Sequence, residues 1–411
     1  MNFIDKIVGR LSVGRRLVRM AGGRCRNFLT KHRYEDRMLP KIGVFLINRP
    51  LQIHTTNLVH MLVSDGFNVD IFLHNSNNYG FVDLRGLSSN KKIKVYDLTY
   101  ARNSLSLSSY CGSLLTGRYL FFIGVEKEGL ILADALSEKF NVPLIYQSLE
   151  LYVDDHPLYE SFIPFRDAEK KCHRKAVATM IQDEHRARAL FESNGVGWDG
   201  ATVLYLPVSV RGDKNAQREK YFHRKYRLPD HAKVILYFGM ISGGRFFFDL
   251  AEEAERLPEE MVLVFHGYFP DTEDRARAML LMSRGRLIIS EERLPVERVP
   301  ELVSSADIGI ALYRNDYIND RLTAFSSEKV AYFMQSGIPI VSFKNESYET
   351  LYSQHRCGEA IESIKGLERA ARKILGDHDR YRSSAFAAFD EYYSFEKNYS
   401  KIRSFFLNLR R

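Results

Sequence analysis

Short apolar runs alternate along the chain with stretches whose apolar positions repeat at helical spacing. Lys41 to Ile47 (KIGVFLI) predicts a strand, Thr55 to Ser64 a helix, and Phe67 to Leu73 (FNVDIFL) a second strand introduced by the turn Asp65-Gly66. That is a βαβ unit. Strands are also predicted over Ile93 to Leu98, Tyr119 to Gly124, Val142 to Gln147, Ala178 to Gln182 and Thr202 to Leu206, with helices near 128–140, 160–176 and 184–194 between them. Strands separated by helices of this length build a parallel doubly wound sheet, whose ligand crevice lies at the carboxyl ends of the strands.

The alternation then restarts. Lys233 to Gly239 (KVILYFG), Met261 to Gly267 (MVLVFHG), Arg286 to Ser290, Ile308 to Tyr313 and Ile338 to Phe343 predict five strands, with helices near 247–256, 271–282, 326–336 and 366–376. The polar stretch Pro207 to His231, with Gly212 and Pro229, reads as a linker. The expected architecture is α/β: a basic arm over residues 1–33, a Rossmann-like domain over 34–206, the linker over 207–231 and a second Rossmann-like domain over 232–378. Aromatic-rich helices over 379–411 are expected to pack back on the first domain. Two such domains would face each other across a cleft.

Composition narrows the class. The 411 residues are 45% apolar and 27% charged, a globular balance that excludes collagen-like and disordered chains. The formal charge of +8 is the excess of 59 Lys and Arg over 51 Asp and Glu. Lys6, Arg10, Arg15, Arg16, Arg19, Arg24, Arg26, Lys31 and Arg33 stand against Asp5 alone in the arm, so the arm carries the whole excess and the body is neutral. A nucleic-acid surface needs its charge spread over the face that binds, and the expectation is no nucleic-acid partner. Cys25, Cys111, Cys172 and Cys357 match no metal-ligand spacing, which predicts reduced thiols in the cytosol and no metal. No apolar run approaches the ~20 residues that span a bilayer, and no signal-peptide pattern is apparent at the start.

Two segments carry chemistry. In Tyr237-Phe-Gly239-Met-Ile-Ser-Gly243-Gly244-Arg245 a strand ends in glycines and an arginine ahead of a helix. Glycines let the backbone approach a ligand, a helix start offers N–H groups, and an arginine grips phosphate with two donors. The same glycines also suit a plain turn and helix start. The second segment, Ser326-Ser327-Glu328-Lys329 through Tyr332 to Gly337-Ile-Pro339, has a serine cap, an acidic first turn and a Gly-Pro stop. It reads as a well-capped helix, or as a helix start with Lys329 facing the same ligand.

These segments, with the strand Ala306-Asp307-Ile-Gly-Ile-Ala-Leu, resemble the donor domain of GT-B glycosyltransferases and are most similar to family 4 (group 1), of bacterial polysaccharide type. Phe122-Ile-Gly-Val-Glu126-Lys-Glu-Gly129 and Val142-Pro-Leu-Ile-Tyr-Gln-Ser-Leu-Glu150-Leu-Tyr152 are similar to the acceptor-domain segment of that group. The resemblance spans about residues 40–400 and implies transfer of a sugar from a UDP- or GDP-sugar to a glycan or lipid-linked acceptor in surface polysaccharide synthesis. It implies no cofactor beyond that donor. By position it implies that Arg245 and Lys329 hold the donor diphosphate beside Gly239, Gly243 and Gly244. Ser326, Ser327 and the helix start would supply backbone donors, and the loop at Arg298-Val-Pro-Glu301 would meet the base. Aligned on Gly337, Ala324 and Tyr332 occupy the places of the family's glutamate pair, which puts Tyr332 among the donor-site positions. Met240 stands where a basic residue is frequent.

If the transfer inverts the sugar, a general base must take the acceptor's proton. Glu126 and Glu150, at strand carboxyl ends, are the first candidates, ahead of Asp154, Asp155, His156 and His54, and each also has a structural reading. In the arm, Phe3, Ile4, Ile7, Val8, Leu11 and Val18 share one side of a helical wheel, while Gly9, Gly14, Gly22 and Gly23 weaken a helix. The arm reads as a solvated tail or as a segment drawn to anionic lipid, which would place the enzyme in the cytoplasm on the inner membrane face. Two other functions fit the architecture: a degenerate GT-B protein serving as a membrane-bound assembly partner, and a nucleotide-sugar epimerase, whose acid/base constellation is not apparent.

Overall fold

The computed structural model describes residues 40–47, 51–74, 87, 89–98, 107–153, 159–281 and 287–410. The basic arm, Asp154, Asp155 and His156 lie outside these residues. β1 (Lys41–Ile47) is buried along its whole length, as a strand covered on both faces must be. α1 (Ile53–Ser64) follows, burying Leu58, Val59, Leu62 and Val63 on one face. The first unit continues through β2 (Asn68–His74), β3 (Ile93–Asp97), α2 (Leu107–Leu114), β4 (Tyr119–Val125), α3 (Glu126–Phe140), β5 (Leu144–Gln147), α4 (Tyr159–His173), β6 (Ala178–Ile181), α5 (Glu184–Asn194) and β7 (Val203–Tyr205). Its seven strands are parallel and ordered β3-β2-β1-β4-β5-β6-β7. Rings line this sheet: Phe45 stacks on Phe72 at 4.7 Å and meets Phe122 edge-to-face at 5.2 Å, and Phe72 stacks on Tyr96 at 4.8 Å.

The strand order reverses between β1 and β4, so the carboxyl ends of these two strands flank a topological switch point. There the chain turns from β4 directly into α3 at Glu126, whose φ of 57° is left-handed. A non-glycine residue in that region costs on the order of 1 kcal/mol and persists only where its surroundings hold it. The helix start is also pressed close to the sheet: a Cβ on Gly129 would lie 2.2 Å from the Phe45 carbonyl oxygen.

Residues Pro207–Asn398 form a second compact unit. It contains α6 (Tyr221–Tyr226), β8 (Lys233–Met240), α7 (Phe247–Ala254), β9 (Met261–Tyr268), α8 (Thr272–Leu281), β10 (Leu287–Ser290), α9 (Val299–Val303), β11 (Ile308–Ala311), α10 (Ile318–Arg321), α11 (Glu328–Gln335), β12 (Ile340–Phe343), α12 (Glu346–Gln354), β13 (Gly358–Ile361), α13 (Leu367–Gly376) and α14 (His378–Ala388). Six parallel strands are ordered β10-β9-β8-β11-β12-β13, with the reversal between β8 and β11.

Two expectations are corrected here. The second sheet has a sixth strand, β13, whose sequence GEAI has little β propensity and is only half buried at the sheet edge. Residues 207–231 are not a free linker. Tyr221 and Phe222 are buried in the second unit's core, Val208 donates its amide to the Phe325 carbonyl at 2.8 Å, and Arg382 donates to the Ala216 carbonyl at 2.8 Å. Their polar composition hid this, because the ties are backbone hydrogen bonds and two aromatic anchors. The last helix, α15 (Phe395–Asn408), ends in the first unit: Phe406 stacks on Phe121 at 5.7 Å, and Tyr399 and Arg403 both donate to Asp65.

Candidate active site

The carboxyl ends of β8 and β11, at the switch point of the second sheet, bring together residues distant in sequence. Arg245 sits in a 3-10 turn just after β8, with its guanidinium carbon 5.6 Å from the centre of the Tyr313 ring. Lys329, in the first turn of α11, has its ammonium 3.8 Å from the Tyr237 ring centre and 5.3 Å from that of Tyr313. Tyr313 also meets the capping residue of α11, its hydroxyl lying 2.6 Å from Ser327 Oγ. Gly239 has φ 123°, a left-handed conformation, and a Cβ there would reach to 3.9 Å from Lys329 Cε. Glycine is called for here by the backbone conformation, since a Cβ would make only an ordinary contact with the lysine.

The two cations are held differently. Arg245 Nη1 donates to Asp320 Oδ2 at 2.6 Å, and Asp320, 7% exposed, also accepts from the Tyr317 hydroxyl at 3.0 Å. Burial opposes the Arg245 charge, but Asp320 and the surrounding tyrosines outweigh it and raise its pKa. Lys329 makes no ion pair among the described residues. Burial, and secondarily the Arg245 charge, bring its ammonium down to about 7. An anion placed between the two would relieve that repulsion.

The amide groups around this pair are sorted by the structure. Ser326 and Ser327 were expected to offer backbone donors, but both amides donate to the Thr323 carbonyl, at 3.2 and 3.1 Å. Ser327 Oγ accepts the Val330 amide, and the Gly243 amide donates to Asp274 Oδ2 at 2.9 Å. The amides of Ser242, Gly244, Glu328 and Lys329 meet no acceptor among the described residues. Two of them open α11, where the helix dipole also favours negative charge.

Tyr332 and Arg298 do not join the pair. Tyr332 lies buried on α11 with its ring 6.3 Å from Phe238, and burial, then Glu328 and Glu297, push its hydroxyl pKa up. Arg298 is bound at the surface to Glu301, its Nε donating to Oε2 at 2.8 Å. Ala324 is fully buried, its carbonyl accepting from the Tyr393 hydroxyl at 2.7 Å. Tyr237 and Tyr313 stand in the sequence only as strand residues, and Tyr317 and Asp320 lie outside every segment it singles out.

In the first unit, Glu126 is 2% exposed and its Oε1 accepts the amides of Leu149, at 2.6 Å, and Glu150, at 2.9 Å. Its carboxylate is therefore engaged by backbone rather than poised as a base. Glu150 is partly exposed, and its carboxylate meets no donor among the described residues. His54 is buried on α1 rather than in the preceding loop, and burial lowers its imidazole to about 4, leaving it neutral at pH 7.

The fold formed by the two units is GT-B: Rossmann-like sheets of seven and six parallel strands, each with its own switch point. HepE from Anabaena, solved in complex with UDP-glucose, is similar with a TM-score of 0.66 at 13% identity, over 90% of this chain and 99% of that one. Sucrose-phosphate synthase from Thermosynechococcus elongatus matches with a TM-score of 0.66 at 12% identity, over 90% and 99%. WaaG, a glycosyltransferase involved in lipopolysaccharide biosynthesis, matches with a TM-score of 0.56 at 14% identity, over 88% and 99%. No protein-family model matches the sequence, and no curated protein matches it.

Proposed function

We propose that the chain is a glycosyltransferase that moves a sugar from a nucleotide-sugar donor to a glycan or lipid-linked acceptor. The observation that carries this is the pair Arg245 and Lys329 around the Tyr313 ring, beside the unoccupied amides of Gly244, Glu328 and Lys329. A nucleoside diphosphate leaves with negative charge on its phosphate oxygens, and fixed cations with oriented N–H groups stabilise that charge without reorganisation or a metal. HepE, similar in fold, was solved with UDP-glucose, which makes a UDP-sugar the first donor to test. Assignment to family 4 and to polysaccharide synthesis rests on the sequence motifs, with Arg245 and Lys329 as the carried-over diphosphate ligands.

A screen of UDP-, GDP-, ADP- and CMP-sugars by thermal shift tests this reading. A bound donor at about 100 times its Kd stabilises by ~2.7 kcal/mol, which raises the Tm by roughly 5–11 °C for units of this size. A rise with one class and none with the others is expected. No rise with any donor would favour the assembly-partner reading, for which the buried Ala324 and Tyr332 at the glutamate positions speak.

The second part of the reading is an anionic membrane surface, on the cytoplasmic side, as the partner of residues 1–33. No helix among the described residues is long and apolar enough to cross a membrane. Nine basic side chains near anionic lipid contribute ~1 kcal/mol each. Full-length protein is expected to float with liposomes containing phosphatidylglycerol at low salt, and protein lacking residues 1–33 to stay at the bottom of the gradient. Equal flotation of both would remove the arm's role.

A further inference from the structure

The amino ends of the strands in the first sheet, opposite its switch point, carry a row of exposed cations. Lys91 stands in the turn that enters β3, and Arg118 just ahead of β4. Lys139 lies in the last turn of α3 and Lys171 in the last turn of α4. Arg174 follows α4, and its Nε donates to the Gly195 carbonyl beyond α5 at 3.4 Å. Each helix joins two parallel strands by running back along the sheet, so these helix ends and strand entries share one edge. Two contacts tie the edge together. Lys41 Nζ, at the start of β1, donates to the Thr116 carbonyl ahead of β4 at 2.8 Å, and Arg410, just past α15, donates to the Asp65 carbonyl ahead of β2 at 3.4 Å.

A helix dipole accounts for cations at helix ends, and so for Lys139 and Lys171 taken alone. It does not account for Lys91 and Arg118, which stand at strand entries. Nor does it account for the apolar side chains on the same edge: Phe140, at the end of α3, is 38% exposed, and Val177, ahead of β6, is 46% exposed. The acids along the row are already engaged, Asp65 by Arg403, and Asp134 and Glu138 by Lys175. Exposed Glu192 and Asp199 come only at the β7 end. The basic arm enters the fold here as well. Only residues 34–39 separate it from Pro40 at the head of β1, which lies between the β3 and β4 entries in the strand order.

We propose that this edge of the first unit is a second membrane contact, a face for an anionic lipid surface that acts together with the arm. The proposal rests on the reading of residues 1–33 as a membrane segment and extends it to the folded body. Exposed cations draw lipid phosphates, and Phe140 and Val177 are apolar groups placed to enter the headgroup layer. The chain's continuity from arm to edge is what selects a lipid surface over other polyanions. Because both contacts belong to one molecule, engagement of the arm raises the effective concentration of lipid at the edge, and two weak contacts hold more firmly than either.

The test uses the full chain with vesicles of phosphatidylglycerol, and of phosphatidylcholine for comparison, read by co-sedimentation at low salt. A quadruple variant, Arg118→Gln, Lys139→Gln, Lys171→Gln and Arg174→Gln, is expected to bind phosphatidylglycerol at least about tenfold more weakly than wild type, since each cation near an anionic surface carries roughly a fivefold share. A control with the same change of net charge, Lys365→Gln, Arg369→Gln, Arg372→Gln and Lys373→Gln in and beside α13, should keep nearly all of the binding. In wild type, acetylation of Lys139 and Lys171 should slow on phosphatidylglycerol vesicles and keep its rate beside phosphatidylcholine. Wild-type affinity in the edge variant overturns the proposal, and so do equal losses in the two variants, which would show that binding follows net charge alone. Binding of a DNA duplex in place of vesicles, lost in the edge variant, would make the edge a nucleic-acid surface and overturns it too. Failure of the full chain to bind phosphatidylglycerol overturns the membrane reading beneath the proposal. Equal binding with and without residues 1–33, beside a loss in the edge variant, overturns the arm's part alone and leaves the edge as the contact.

Discussion

Replacing Arg245 with alanine is expected to weaken UDP-glucose binding by roughly 10–150-fold, the equivalent of the 1.5–3 kcal/mol carried by hydrogen bonds to charged groups. The residue stands at the end of β8, and its guanidinium is braced by Asp320 and by the face of Tyr313. Bracing matters because an arginine already ordered loses little rotamer freedom when phosphate arrives. The substitution also orphans Asp320, a 7% exposed carboxylate whose remaining named partner is the Tyr317 hydroxyl, so some loss of stability accompanies the loss of binding. Arg245→Lys separates the two effects. A lysine keeps a charge for Asp320 but cannot present two parallel donors to a phosphate, so it should restore the fold more fully than it restores affinity. Titration calorimetry with UDP-glucose, beside urea unfolding of each variant, reads both quantities. Wild-type affinity in a folded Arg245→Ala protein would remove the diphosphate from this end of β8.

What the chain reveals before its structure depends on whether a feature is local. α5 runs from Glu184 to Asn194 as its pattern indicates, because Asp183 caps it through the Arg186 amide at 3.0 Å and Gly195 ends it in a left-handed turn. β1 spans Lys41–Ile47 as expected because a strand buried on both faces shows as an unbroken apolar run. β13 and α6 escaped because neither run is long enough to show a period, and their places are set by pairing with β12 and by burial of Phe222. The candidate site divides in the same way. Arg245 and Lys329 lie in segments with turn and capping signals of their own, whereas Tyr237 and Tyr313 meet Lys329 only because β8 and β11 are neighbours in the sheet. Glu126 was visible as a strand-end carboxylate, but its role depends on two amides at the end of the adjacent strand, which no local pattern records. Ser326 and Ser327 show the opposite error: a serine pair at a helix start suggests open donors, and the Thr323 carbonyl has already taken them.

The affinity for UDP-glucose is expected to be flat below about pH 6 and to fall as pH rises through 7, approaching tenfold per unit between pH 7.5 and 8.5. The cause is Lys329. In the free protein its ammonium titrates at about 7, depressed first by burial among Tyr237 and Tyr313 and then by Arg245, so near neutral pH a substantial fraction carries no charge. A diphosphate between the two cations favours the charged form, and binding must therefore take up a proton, approaching one per site as pH rises above 7. UDP-glucose is the suitable probe, because each of its phosphates keeps a single charge across this range and the titration belongs to the protein. Calorimetry in buffers of different ionisation enthalpy counts the protons directly. The same shift sets the sign of a stability effect without ligand. The folded pKa lies below the unfolded value near 10.5, so the unfolded chain binds more protons between pH 7 and 10.5. The penalty is complete below 7 and is relieved as pH rises toward 10.5. Lys329→Met should accordingly raise the Tm most at pH 6 and less at pH 9, while abolishing proton uptake on binding. Affinity independent of pH from 6 to 8.5, with no proton taken up, would put Lys329 beyond the reach of the diphosphate and leave Arg245 as the cation that holds it.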